Sequence, residues 1–191
     1  MSLSKGKLIA LIAVVVVIVI VLGSVLWYVG TYNGLVKEEE KIDSNWAEVT
    51  NQYQRKFDLI PNLVNITNSY LHWEASTLSN ITALRTQWTN ALAADDVEGM
   101  VNASDKLDAQ ANTIIVTVEN YPALNGVVVV DNLMYEISGT ENQITVARMR
   151  YNDAVQAFNA HLKSFPASIV AGQGGFEARK YYKSSNAPPA P

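Results

Sequence analysis

Leu8 to Val29 read LIALIAVVVVIVIVLGSVLWYV, a run of 22 residues that carries no charged side chain. Folded as an α-helix, such a run is about 33 Å long, which is close to the thickness of the hydrocarbon core of a bilayer. Trp27 and Tyr28 stand at its far end, and amphipathic aromatic side chains favour the membrane interface. The sequence therefore predicts a transmembrane helix over residues 8–29, preceded by a short flank of residues 1–7.

A cleaved signal peptide is the alternative interpretation of an apolar segment in this position. The apolar part of a signal peptide is only about 7–15 residues long and is followed by a small-x-small cleavage site. The run here is longer and ends in Trp27-Tyr28. Its length and its aromatic end favour a retained membrane anchor.

The charges that flank the span indicate its orientation. Lys5 and Lys7 precede it, whereas the first charges after it are Lys37 and then the three glutamates of residues 38–40. Segments rich in Lys and Arg tend to stay on the cytoplasmic side of a membrane. We therefore expect a single-pass protein of the cell membrane whose remaining chain lies on the extracytoplasmic side.

The composition of the chain argues against several classes of function. The formal net charge is −4, and the basic residues are scattered, so a nucleic-acid partner is not expected. The chain has no cysteine and only two histidines, which excludes disulfides and thiolate chemistry and disfavours a zinc site. No phosphate-binding glycine loop, nucleophile elbow or paired-carboxylate motif is present. The sequence thus predicts no catalytic residue, no cofactor and no metal, and hence a protein that is not an enzyme.

Apolar residues recur at steps of three, four and seven in four stretches after the span, which is typical of helices with one buried face. The four stripes are Tyr32, Leu35, Ile42, Trp46, Val49, Tyr53 and Ile60; Leu63, Thr67, Tyr70, Thr77, Ile81, Leu84 and Trp88; Val97, Met100, Ser104, Leu107, Ala111, Ile114, Val118 and Tyr121; and Leu133, Ile137, Thr140, Ile144, Ala147, Tyr151, Val155, Phe158, Leu162 and Phe165.

These stripes predict an all-α fold in which the transmembrane helix is followed by an antiparallel bundle of about four long helices over residues 30–166. We expect the first bundle helix to continue from the span with little break, and the valine run of residues 127–130 to begin the fourth helix. The tail of residues 167–191, rich in Gly and Pro, is expected to be loop and then disorder.

The segment from Phe57 to Val64 reads FDLIPNLV and suggests a junction between the first two helices. Pro61 lacks a backbone donor and disfavours helix at the preceding residue, while Asp58 is a good N-cap for a new helix. Asp58, Pro61 and Asn62 are therefore candidate junction residues. Two interpretations stay open, a capped junction and a turn that docks a protein partner.

A second candidate set lies in the fourth helix. Glu141, Asn142 and Arg148 are polar residues near the apolar stripe, and they could form a buried cluster that fixes helix register or an exposed set of pairs at i, i+4 spacing. The acidic residues between positions 95 and 108 are interpreted as charges that favour a helix N-terminus. They are Asp95, Asp96, Glu98, Asp105 and Asp108.

Seven motifs in order make the chain resemble the LemA family of membrane-anchored helical proteins. They are Tyr32-Asn-x-Leu-Val36, Asp58-Leu-Ile-Pro-Asn-Leu-Val64, Glu119-Asn-Tyr-Pro122, Gly139-Thr-Glu-Asn142, Ala147-Arg-x-x-Tyr-Asn-Asp-Ala-Val155, Phe165-Pro166 and Gly175-Phe176. The resemblance covers about residues 28–182. It implies one N-terminal transmembrane helix, a long antiparallel bundle, no enzymatic activity that can be carried over, and an organising role at a membrane.

The sequence thus favours a membrane-anchored structural or interaction protein that acts as a scaffold. Its expected partners are the lipid bilayer and either an unknown protein or a second copy of itself. The alternative is a filament-forming, pilin-like subunit that assembles through its N-terminal apolar helix.

Overall fold

The computed structural model describes residues 5–183. It contains five α-helices and one short 3-10 helix: α1 (Lys5–Leu71), α2 (Ala75–Ala93), α3 (Val97–Glu119), the 3-10 helix (Pro122–Leu124), α4 (Val128–Lys163) and α5 (Ala167–Gly174). No strand occurs between residues 5 and 183. The predicted all-α fold, a long apolar N-terminal helix followed by packed helices, is confirmed.

The chain divides into two compact units. Unit 1 comprises Met1–Lys41 and Gln156–Arg179, and unit 2 comprises Ile42–Val155 and Lys180–Pro191. Helices α1 and α4 each run through both units.

The first part of α1 is the apolar run of residues 8–29. Its described large side chains are exposed to solvent all around the helix; Ile9 is 67% exposed, Val19 62% and Leu26 73%. The helix is long and apolar enough to cross a membrane by length and composition. The helix then continues into the bundle without interruption, as the sequence predicts.

Pro61 lies inside α1, so the predicted helix junction at this residue was wrong. A proline in a helix removes one hydrogen bond and crowds the preceding turn, at about 3 kcal/mol. However, Leu59, Ile60, Leu63 and Val64 on either side are all buried. Burying each of these side chains contributes about 1.5–3 kcal/mol, so packing on one continuous helix outweighs the local penalty.

Helix α1 ends at Leu71 instead. His72 adopts a left-handed backbone conformation with φ of 47°, and three residues separate α1 from α2. The indole of Trp73 folds back and donates a hydrogen bond of 2.9 Å to the hydroxyl of Thr67, which is buried in the last turns of α1. The break between α1 and α2 therefore begins at His72, eleven residues after Pro61, where the sequence had predicted a junction.

The next boundaries agree with the sequence. The carboxylate of Asp96 accepts a hydrogen bond of 3.0 Å from the backbone of Gly99 and caps α3. Helices α2 and α3 pack together and are joined by only three residues, so they form an antiparallel hairpin. Helix α4 begins at Val128, within the predicted valine run.

The buried side chains of unit 2 are largely those of the predicted stripes. They include Val49, Tyr53, Ile60, Ile81, Trp88, Met100, Leu107, Ile114, Ile137, Ile144 and Val155. Tyr70 is an exception at 44% exposure. It is the second-last residue of α1.

In unit 1, the prediction that the chain after residue 166 begins as a loop was wrong, because residues 167–174 form α5. Phe158 at 0% exposure anchors this unit, and its ring lies 6.4 Å from that of Phe176. The amide of Asn159 exchanges two hydrogen bonds of 2.9 Å with the backbone of Arg179. Phe165, assigned to the buried stripe, is 84% exposed, since α4 ends two residues before it. The predicted disorder of residues 184–191 lies outside the described residues.

Candidate functional site

Lys56 is a fully buried lysine in the middle of α1, with a side chain that is 0% exposed. It lies three residues after Tyr53 and four before Ile60, on the face of α1 that the apolar stripe buries. A buried ammonium group is costly unless charged partners surround it. The surroundings of Lys56 therefore define the most unusual site in the described part of the chain.

Two carboxylates from other helices neutralise this lysine. The ammonium nitrogen lies 2.5 Å from Oδ1 of Asp108 in α3, and it also forms an ion pair with Glu141 in α4. One side chain of α1 thus joins α3 and α4. Asp105, also buried, adds a third carboxylate close to Asp108.

Arg148 of α4 supplies the second cation. Its guanidinium donates a hydrogen bond of 2.9 Å to Oδ2 of Asp108 and one of 3.1 Å to the hydroxyl of Tyr182. It also stacks over the rings of Tyr182 and Tyr53, at 4.6 Å and 5.1 Å from their centroids. Cation–π contacts of this kind are strongest where water is excluded.

The hydroxyl groups of the two tyrosines complete a directed chain of hydrogen bonds. Tyr182 donates to Tyr53 at 3.2 Å, and Tyr53 donates to Oδ2 of Asp108 at 3.1 Å. We call Tyr53, Lys56, Asp108, Glu141, Arg148 and Tyr182 the ionic cluster. All six residues belong to unit 2.

Burial shifts the protonation equilibria of the cluster. It raises the pKa of Asp108 above its ordinary value, while the adjacent ammonium of Lys56 opposes that rise. Burial also lowers the pKa of Arg148 and raises the pKa of Tyr182 to about 12. Tyr182 therefore keeps its proton at neutral pH and serves as a hydrogen-bond donor.

The residues of α4 around Arg148 hold the C-terminal segment by its backbone. The amide of Asn152 accepts a hydrogen bond of 2.8 Å from the N–H of Tyr182 and donates one of 3.0 Å to its carbonyl oxygen. The hydroxyl of Tyr151 donates to the carbonyl oxygen of Lys180 at 2.8 Å. These bonds fix Tyr182, which is only 5% exposed, against the ionic cluster.

Of the six candidate residues named from the sequence, two belong to the ionic cluster and four do not. Glu141 and Arg148 both belong to the ionic cluster, whereas Asn142 is exposed. Asp58 and Asn62 are exposed on α1 and Pro61 is half-buried. Asp58 forms a surface ion pair of 2.7 Å with Arg85 and caps no helix.

The sequence reasoning missed Lys56, Asp108 and Tyr182. A signal was present for the first two, because each charged residue sits three or four positions from apolar residues of its own stripe. Asp105 and Asp108 were interpreted as charges that favour a helix N-terminus, and this was wrong for these two residues. They lie beyond the first turn of α3, where Asp105 is buried and Asp108 is an ion-paired member of the cluster. For Tyr182, which follows the last helix by eight residues, no periodic signal exists.

Chemically, the ionic cluster is a set of mutually compensating charges. Two cations face two paired carboxylates, and every one of the four takes part in an ion pair. Within residues 5–183, no group of three or more His, Asp or Glu side chains could hold a metal ion. The arrangement ties α1, α3, α4 and the C-terminal segment together.

Comparison with known proteins supplies the family. The model of the LemA family matches residues 45–191, which is more than half of the chain. This chain belongs to the LemA family. The resemblance drawn from its seven motifs is confirmed.

Three curated proteins resemble this chain at low sequence identity. The chain is 24% identical to Protein LemA of Metamycoplasma hominis, over 75% of this chain and 65% of that protein. It is 22% identical to each of two proteins of Paramagnetospirillum magneticum, Magnetosome protein MamQ 2 and Magnetosome protein MamQ 1, over 84% of this chain and 67% of each. The chain thus spans about two thirds of the length of the curated relatives it matches.

Two of the seven motifs of this LemA-family chain contribute residues to the ionic cluster or to its supports. The fifth motif contains Arg148, Tyr151 and Asn152, each of which contacts the segment of residues 180–182. The fourth motif contains Glu141, the partner of Lys56. These two motifs therefore help to hold α4, α1 and the C-terminal segment of unit 2 together.

Proposed function

We propose that this LemA-family chain is a membrane-anchored, non-catalytic interaction protein that presents a helical bundle next to the bilayer. The observation that supports this most is the continuity of α1. One helix carries both the exposed apolar run of residues 8–29 and, without a break, the buried face that organises unit 2. The same helix thus supplies both a candidate membrane anchor and part of a folded domain, which suits a membrane-anchored interaction protein.

The composition of the ionic cluster also supports a structural function. Its charged groups pair with one another. Buried ionic groups of this type can fix helix register at some cost in stability. Two relatives are named magnetosome proteins, a name that refers to a cellular structure and not to a reaction.

Insertion of the apolar run into the bilayer is the first expectation of this proposal. We expect the full-length chain to stay in the membrane pellet during alkaline carbonate extraction. A matched variant with Val15→Arg and Val19→Arg should be released in part, because each arginine costs about 2.5–3.5 kcal/mol at the centre of a span. Recovery of the unsubstituted chain in the supernatant would contradict the anchor.

For sidedness, we propose that the bundle lies outside the cytoplasm, as the flanking lysines Lys5 and Lys7 suggest. The chain has no cysteine, so Tyr135→Cys would introduce the only thiol at a position that is 81% exposed. A membrane-impermeant maleimide should label it in intact cells, and a Ser2→Cys control should react only after lysis. The reverse pattern of labelling would place the bundle in the cytoplasm.

The interaction function itself can be tested with a second single thiol. A photo-crosslinker attached to Val128→Cys in native membranes should give discrete adducts, because Val128 and Val129 are neighbouring apolar side chains, 69% and 54% exposed. Exposed apolar side chains that lie together favour a contact surface. An adduct of twice the monomer mass would identify self-association, and another mass would identify a different protein. A crosslinker on the exposed polar position Thr86→Cys controls for random collisions. Monomer alone at both positions would speak against an interaction protein.

A further inference from the structure

An uncharged segment follows α4 in unit 1. Ser164 to Phe176 read SFPASIVAGQGGF, 13 residues without a charged side chain, and they include α5. We call residues 164–176 the α5 loop. Its inner face packs in unit 1 through Ala167, Val170 and Ala171, which are buried.

Contacts with α1 define how far the α5 loop reaches along that helix. Before the loop, Nδ1 of His161 lies 3.0 Å from a carboxylate oxygen of Glu38. After it, the guanidinium of Arg179 lies 3.3 Å from Glu39. The residues that flank the loop are therefore paired with α1 at Glu38 and Glu39. These two glutamates are nine and ten residues beyond Val29 in α1, which corresponds to about 13–15 Å along the helix axis.

Between these ends, the loop descends toward the apolar run. The ring of Phe176 lies 5.3 Å from that of Tyr32 in an edge-on arrangement. Gly174 approaches so closely that an added Cβ would stand 3.1 Å from the Tyr32 ring. Tyr32 is three residues beyond Val29, only about 4.5 Å along the helix, so the loop comes close to the level at which the apolar run ends.

Two large apolar side chains of the α5 loop are exposed, beside the uncharged polar residues Ser164 and Ser168. Phe165 is 84% exposed and Ile169 is 49% exposed. Large apolar side chains that stay exposed near one another are typical of a contact site. Because no charge lies within the 13 residues, the loop can leave water without the large penalty of desolvating an ion.

We propose that the α5 loop is a second membrane contact, in which Phe165 and Ile169 insert into the interfacial region of the same bilayer that holds residues 8–29. This inference rests on the proposed membrane anchor. The short axial distance from Val29 to Tyr32 places the loop at the interface once the apolar run spans the bilayer. Phe165, Phe176 and Tyr32 then extend the aromatic girdle of Trp27 and Tyr28.

The test uses the full chain in phosphatidylcholine liposomes with one spin label at a time. Ser168→Cys places the label between Phe165 and Ile169 at an exposed position. Val19→Cys reports on the anchor, and Tyr135→Cys is the exposed reference. Collision rates with oxygen, which partitions into lipid, and with a water-soluble nickel chelate give the depth of each label.

We expect the label at Ser168 to collide with the nickel chelate severalfold less often than the label at Tyr135, and to collide more often with oxygen. Adding Phe165→Gln and Ile169→Gln should raise its nickel collisions toward the reference, with the far-ultraviolet circular dichroism unchanged. If that variant fails to fold, the comparison of the labels at Ser168 and Tyr135 in the chain with Phe165 and Ile169 intact is sufficient for the test.

Three results would overturn the proposal. If Ser168 behaves as Tyr135 while Val19 reports lipid, the loop is in water and only the anchor stands. If Val19 also behaves as Tyr135, both the anchor and the loop contact are wrong. If Ser168 is shielded from oxygen and nickel alike, protein rather than lipid covers the loop.

Discussion

Replacing Asp108 with alanine is expected to lower the free energy of unfolding of the bundle by about 3–5 kcal/mol, because removal of one partner leaves buried charges uncompensated. Asp108 accepts hydrogen bonds from Lys56, Tyr53 and Arg148. Lys56 is fully buried and would lose one of the two carboxylates with which it forms ion pairs. Urea denaturation of residues 31–191, followed by circular dichroism, measures the change.

Asp58→Ala is the matched control for this prediction. It removes a carboxylate from an ion pair whose two side chains are about half exposed, 48% for Arg85 and 52% for Asp58. Exposed pairs contribute about 0–1 kcal/mol, so the two aspartates should differ clearly. In a double-mutant cycle, Lys56→Met combined with Asp108→Ala should cost less than the sum of the single changes. Strict additivity would show that the pair is not coupled.

Phe158→Ala is expected to destabilise the fold by about 3–5 kcal/mol, the range for removal of a buried phenylalanine. The ring is 0% exposed and packs edge-on against Phe176. Nothing polar in the ring needs a partner, so the loss arises from apolar burial and from the cavity that remains. The unfolding midpoint of residues 31–191 in urea gives the measurement.

Phe165→Ala provides a control of the same residue type. Phe165 is 84% exposed, and in residues 31–191 its removal should change the free energy of unfolding by at most about 0.5 kcal/mol. Equal losses for the two phenylalanines would mean that the assignment of core and surface at the end of α4 is wrong. In the full chain with lipid, Phe165 matters through the proposed membrane contact instead.

The helix junctions show which local signals were reliable. Asp96 was interpreted as a charge that favours a helix N-terminus, and in the structure its carboxylate caps α3 by accepting a hydrogen bond from the backbone of Gly99. Pro61 misled because its effect is local, whereas the burial of its neighbours Leu59, Ile60, Leu63 and Val64 arises from tertiary packing. A single sequence does not state which residues will meet from distant positions.

The same limit applies to the ionic cluster. Glu141 and Arg148 were visible as polar residues beside an apolar stripe, and the sequence left open whether they form a buried cluster or exposed pairs. Lys56 lies 52 residues from Asp108 along the chain, and Tyr182 lies 129 residues from Tyr53. Helical periodicity relates residues within one helix only, so it cannot pair these groups.

By itself, the sequence determined the all-α class, the apolar run of residues 8–29, the continuation of that run into the bundle and the LemA family. These properties follow from local hydrophobicity, helical periodicity and ordered motifs, which need no knowledge of long-range contacts. Only the tertiary structure decided that α1 passes through Pro61, that Lys56 is buried among carboxylates, and that α5 packs beside Tyr32. The physical reason is that burial and charge compensation depend on which distant segments meet, and their energies exceed the local preferences of single residues.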